Sequence, residues 1–157
     1  MNTYKNESEN KYKIDIAVLL IFFCRDDKFS KVFEQVKKAR PSKLYLYQDG
    51  PRNEKDQDGI QRCRKIVSEV NWECEIHTWY QEENVGCDPS EFLAQRWMFA
   101  QEEMGIVLED DDVPSQSFFP YCKELLERYK DDERINMICG MNNTGVSEYL
   151  EDSYLFT

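Results

Sequence analysis

The sequence predicts an α/β fold, a mostly parallel sheet with helices on both faces. Three observations predict it. Short apolar runs alternate with segments of helical period, four times, ending on a further apolar run. The first run, Ile16–Cys24, is continuously apolar, as in parallel strands buried on both faces. Polar and glycine residues gather where each run ends, the edge at which open α/β sheets bind ligands.

The elements follow in order. Residues 1–13 lack periodicity and read as a flexible leader, and 14–157 as one domain. Residues 14–24 form the first strand. Phe29, Val32, Phe33, Val36 and Ala39 recur at helical spacing, with Asp26 or Asp27 as N-cap and Pro41 as the stop. "KLYLYQDG" is a second strand closed by the turn signal Asp49-Gly50-Pro51. Ile60, Cys63, Ile66, Val67 and Val70 mark a second helix, and "ECEIHTWY" a third strand. After the loop "QEENVGC", Asp88-Pro89-Ser90-Glu91 reads as a helix start capped by Asp88. Leu93, Trp97, Ala100 and Met104 give that helix its buried stripe. "GIVLED" is a fourth strand. Phe118, Cys122, Leu125, Leu126 and Tyr129 make a fourth helix, and "INMICGMN" a fifth strand. Residues 143–157 show no period.

Composition narrows the function. Lys and Arg number 20 against 31 Asp and Glu, a formal charge of −11. That argues against a nucleic-acid partner, which needs an excess of cations. A phosphate ligand held through a metal ion stays open. Hydrophobic content of 41%, with 13% aromatic, is enough for a core. The apolar run Ile16–Cys24 is too short to cross a bilayer, and Arg25-Asp26-Asp27-Lys28 after it is no export cleavage site. Six cysteines without C-x-x-C spacing read as reduced core thiols of a cytoplasmic protein. His77 and the tryptophans Trp72, Trp79 and Trp97 read as structural.

The chemistry-bearing stretch is Glu109-Asp110-Asp111-Asp112, straight after the apolar Ile106-Val107-Leu108. Carboxylates are hard ligands suited to Mg²⁺ or Mn²⁺, ions that also bind phosphate oxygens. A cation there would relieve the mutual repulsion. The alternative is a solvated acidic turn that caps the next helix. The buried strand before it and the polar groups at the other strand ends favour a ligand. Arg25 offers a fork for phosphate, or an ion pair with Asp26 or Asp27. Asp49 could accept from a base or ribose, or simply make a turn. Asn84 and Gly86 could let backbone approach a ligand, or again make a turn.

"GIVLEDDDVPSQSFFPYCKELLERYKDDERI", "ARPSKLYLYQDGPR" and "ENVGC", in this chain's order, resemble three stretches of GT-A glycosyltransferases. They are most similar to bacterial nucleotide-diphospho-sugar transferases related to N-acetylglucosaminyltransferase I. The resemblance runs from about Ile16 to Thr157 and implies a Rossmann-like GT-A fold. It implies Mn²⁺ or Mg²⁺ on Asp111, with Glu109 orienting the site and Asp112 an additional acid able to compete for the ion. It places Asp110 on sugar or ribose, Asp49 on uracil, Arg25 near phosphates or base, and Asn84 and Gly86 beside the nucleoside. The implied partners are a nucleotide-sugar donor, UDP-linked, and a glycan or other hydroxyl acceptor. The family's chains continue into an acceptor-binding half that supplies the catalytic base, and "EDSYLFT" falls where that half begins. The expectation is therefore the donor-binding half of a glycosyltransferase, with a homodimer as a way to cover the face left open. The alternative is a catalytically incomplete nucleotide-binding or interaction module. Two other enzyme classes fit worse. "FCRDDKF" lacks the glycine loop of a nucleotidyltransferase, and "HTWYQEEN" lacks the aspartate of a phosphorelay receiver.

Overall fold

A computed structural model describes residues 11–141. Four parallel strands, β1 (Ile14–Phe22), β2 (Pro41–Gln48), β3 (Glu75–Tyr80) and β4 (Ile106–Glu109), form one sheet in the order β3-β2-β1-β4. The most apolar strand, β1, is internal and buried at every position but Asp15. Its neighbours are in register, with Phe22 opposite Gln48 of β2 and Ile21 opposite Glu109 of β4.

Alternation along β1 feeds two cores. Ile14, Ile16, Val18, Leu20 and Phe22 face α1 (Asp26–Ala39), α2 (Gln57–Val67) and α4 (Phe118–Tyr129). Ala17, Leu19 and Ile21 face Ala94 and Met98 of α3 (Cys87–Phe99), together with Tyr45 and Tyr47. The chain is thus an α/β domain with a wholly parallel sheet covered on both faces, as expected.

The stripe predicted for α1 is the one buried: Phe29, Val32, Phe33, Val36 and Ala39. Its N-cap is Arg25, with no side-chain capping bond. Asp26 and Asp27 lie in the first turn, where the helix dipole favours acids, and Arg62 binds Asp26 at 3.0 Å. Arg40, at φ 47°, ends the helix before Pro41 opens β2. The Arg40 carbonyl accepts from Lys13 N at 2.8 Å, and Tyr12 packs on the core, so the chain is attached by this point. Residues 1–10 of the expected leader lie outside the described residues.

Gly59, in the first turn of α2, touches the loop after β1. A Cβ there would stand 2.4 Å from the Cys24 carbonyl oxygen. Gly59→Ala is expected to push α2 off that loop and cost about 1–3 kcal/mol, the usual penalty of overpacking, read as a lower urea midpoint.

Two expected helix features shift. Gly86, at φ 93°, caps α3, so the helix starts at Cys87 and Asp88 sits inside its first turn. Glycine makes the sharp entry possible, and Pro89 costs nothing there because first-turn N–H groups have no intrahelical partner. The buried stripe is Ser90, Ala94 and Met98 rather than Leu93, Trp97, Ala100 and Met104. Small residues let α3 approach the bulky Tyr45 and Tyr47. Leu93 and Trp97 flank that seam half-buried, Trp97 standing edge-on to Tyr45 and Trp79. Phe92 and Phe99 of α3 remain exposed. His77 is structural, stacked on Tyr45 at 4.4 Å and paired with Glu75.

The fifth strand is absent from 135–141; Asn142 lies outside the described residues. Topology explains this. The helices α1 and α2 link strands stepping one way and cover one face, while α3 links the step back to β4 and covers the other. Right-handed crossovers require that division. The α4 helix packs on the α1 face, so a parallel strand reached through it beyond β4 would need a left-handed crossover. Met137 is 79% exposed, which fits no sheet interior.

All six cysteines are free. Only Cys63 and Cys122 belong to the buried core, where burial pushes both thiols up to about 12. Among the described residues, no helix is long and apolar enough to cross a membrane.

Candidate functional site

The strand order reverses beside β1. The chain steps outward from β1 to β2 to β3, then returns to place β4 on the other flank of β1. At such a switch point the loops after the two central strands part and leave a crevice. The residues there are Phe23-Cys24-Arg25 after β1 and Asp110-Asp111-Asp112 after β4.

Arg25 bridges these two loops. Its Nε and Nη2 both reach the Asp110 carboxylate, and Nη1 reaches Asp111 Oδ2 at 3.0 Å. Lys28 Nζ lies 3.4 Å from the same Asp111 oxygen. Asp110 is 4% exposed and also accepts from Phe23 N at 3.4 Å. It therefore ties the end of β4 to the end of β1. The bond to Asp110 raises the Arg25 guanidinium further above its ordinary value, so it is always charged. Burial pushes the Asp111 carboxyl up, but Arg25 and Lys28 outweigh it and hold it below the usual range. Of the sequence expectations for Arg25, the ion pair with Asp26 or Asp27 is not formed: its partners are Asp110 and Asp111.

The rest of the acidic run has other surroundings. Asp112 closes a turn, its Oδ2 accepting from Glu109 N at 3.3 Å. Burial raises the Glu109 carboxyl, and Glu91, Asp112, Asp111 and Asp110 raise it further. The run does not cap α4, whose N-cap is Ser117 without a side-chain capping bond.

A second group forms after β2. Asp49 is 7% exposed, and its carboxylate accepts from Gly50 N (2.8 Å), Asn84 Nδ2 (2.7 Å), Val85 N (2.9 Å) and Gly86 N (3.1 Å). Asn84 Nδ2 also donates to the Gly50 carbonyl at 3.0 Å. Gly50 lies so close to this loop that a Cβ would stand 2.4 Å from the Glu83 carbonyl carbon. Asp49, Asn84 and Gly86 are thus brought together as a clamp that fixes the loop leading into α3. The two groups meet through β1: Asp49 N donates to Phe22 O at 3.3 Å, one residue before the Phe23 amide held by Asp110.

Several residues at this edge were not singled out from sequence. Arg52 grips Asp56 through Nε at 3.0 Å and Nη2 at 2.8 Å, and its guanidinium lies over the Phe23 ring, 5.0 Å from the centroid. This pair holds the Asp56 carboxyl down to about 2. Gln48 donates to Phe23 O at 2.7 Å and accepts from Arg64 Nε at 2.7 Å, while Arg64 lies over Tyr80. The four-residue spacing of Arg52 and Asp56 spans a bend rather than a helix, so it carried no helical pairing signal in the sequence. Gln48 stood among the polar strand ends without a role of its own, and nothing local marked Phe23.

A hard divalent cation suits the donors at this mouth. Among the described residues no three acidic, histidine or cysteine groups converge as a ready cage. Magnesium-type sites do not need one, because one or two carboxylates plus substrate phosphates and waters suffice. Both cationic contacts of Asp111 fall on Oδ2, which leaves Oδ1 outside them, and its side chain is 41% exposed. Of these carboxylates, Asp111, with Glu109 and Asp112 in the same turn, is the one that could hold such an ion.

A groove of about 500 Å³ lies elsewhere, lined by Lys13, Lys38, Phe119 and Lys123 among others. It adjoins the opposite end of the sheet and holds none of the groups above. Compared with family models, curated proteins and solved structures, the chain finds no match.

Proposed function

We propose that this chain is a GT-A-type glycosyltransferase domain that binds a nucleotide-diphosphate sugar, UDP-linked, at the crevice between β1 and β4. The observation that carries the reading is the convergence of Arg25, Asp110 and Asp111 at the switch point, from two loops 85 residues apart in sequence. That convergence supports the resemblance of "LEDDD" to a strand-end metal motif, because the acids lie at the switch point of the sheet instead of capping a helix.

In this reading Asp111, helped by Glu109 and Asp112, holds Mn²⁺ or Mg²⁺. The bound ion supplies charge neutralisation for a departing diphosphate. Arg25, kept charged by Asp110, orients the phosphates from the other wall. Asp110 stays on the β1 loop and sets the width of the crevice. An acceptor hydroxyl attacks the anomeric carbon, its proton passing to a base, as the bond to the nucleoside diphosphate breaks.

Titration calorimetry with UDP tests the reading. Binding is expected with Mn²⁺ present, with an affinity at least tenfold lower without it or in Asp111→Ala. Binding indifferent to both, or no binding at all, would contradict it. Sustained UDP release from UDP-sugars distinguishes a transferase from a module that only binds.

A further inference from the structure

We propose that Arg52, rather than Asp49, is the side chain that meets the base of the bound nucleotide; the inference rests on the nucleotide reading above.

Asp49 has no capacity left for a ligand. A carboxylate offers about four lone-pair sites, and Gly50 N, Asn84 Nδ2, Val85 N and Gly86 N occupy them at 2.7–3.1 Å. To accept from a base, Asp49 would have to release part of the loop that forms the slot. It is a positioning residue.

Arg52 has what Asp49 lacks. It stands on the same turn, three residues on, and its side chain is 60% exposed. It is nevertheless fixed. Asp56, only 8% exposed, holds Nε, Nη2 and the backbone N of Arg52 at 2.8–3.0 Å. The Phe23 ring supports the guanidinium from beneath. Nη1 takes no part in the Asp56 pair, so it is left to donate to a carbonyl oxygen of the base. Planar, weakly hydrated guanidinium also stacks well on bases.

The spacing is consistent with a nucleotide. Phe23, beneath Arg52, and Arg25, at the diphosphate position, are two residues apart, at most about 7 Å along extended chain. One loop would thus carry the supports for both ends of a nucleoside diphosphate. The Phe23 amide is tied to Asp110 and its carbonyl to Gln48, so both supports are held rigidly to the sheet.

The experiment compares UDP with ribose 5-diphosphate, which lacks the base, by calorimetry in Mn²⁺. Arg52→Ala and Arg52→Lys are expected to weaken UDP roughly tenfold, the scale of an Arg–base contact, and to leave ribose 5-diphosphate within about twofold. Arg52→Lys keeps the charge, so it separates the planar contact from simple attraction. Asp49→Asn is expected to weaken both ligands in parallel and to lower the urea midpoint. The proposal is overturned if Arg52 variants weaken both ligands equally or neither, or if Asp49→Asn weakens UDP alone. Wild-type protein that binds neither ligand would instead refute the nucleotide reading, and this proposal with it.

Discussion

Asp49→Ala is expected to cost about 3–5 kcal/mol of folding stability, because each buried donor left without its acceptor costs roughly 1–3 kcal/mol. Four donors lose their acceptor at once: the amides of Gly50, Val85 and Gly86, and the Asn84 side chain. The loop is half-exposed, so water recovers part of the loss, and the total falls well below four full penalties. Urea denaturation measures the effect. Amide exchange localises it, with protection lost first at Val85 and Gly86. A variant within about 1 kcal/mol of wild type would mean that the loop holds itself without the carboxylate.

Asp110 and Asp111 are expected to separate cleanly, although they are neighbours. Asp110→Ala removes a carboxylate that is 4% exposed and binds both Arg25 and the Phe23 amide. Breaking a fully buried pair costs about 3–5 kcal/mol, but Arg25 is 45% exposed and can turn to water, so about 2 kcal/mol is expected. The loop 23–25 should loosen with it. Asp111→Ala removes an exposed carboxylate and should change stability by no more than about 0.5 kcal/mol, the scale of a surface pair. Ligand binding should fall in both variants. Equal stability losses would show that the two acids share one role.

Periodic elements were readable from sequence and singular contacts were not. The α1 stripe was read residue for residue because its apolar and polar faces are cleanly divided. The α3 stripe was not, because that helix is apolar on several faces. Leu93 and Trp97 carry the apolar bulk at helical spacing, while sheet packing selected the small Ser90 and Ala94. "INMICGMN" has the composition of a strand, yet with α4 on the α1 face a parallel strand beyond β4 would need a left-handed crossover.

The site divides in the same way. Strand ends were visible as polar residues after apolar runs, so Arg25, Asp110 and Asp111 could be named. That Arg25 would choose Asp110 over the adjacent Asp26 depends on strand order, which one-dimensional spacing does not contain. Asp49 was named for its place in a turn, but its saturation by a loop 35 to 37 residues away appears only in three dimensions. Arg52 lay in a run of charges, "PRNEKDQD", that reads as ordinary surface until Asp56 is seen to be buried.

The most direct test of the cation at the β1–β4 crevice is paramagnetic line broadening by Mn²⁺, followed amide by amide with UDP present. The account predicts that residues 109–112 and 25–28 broaden first, while Lys13, Ser42 and Glu75, at the opposite end of the sheet, stay sharp. Broadening centred anywhere else, or none at Asp111 under saturating UDP, would contradict it.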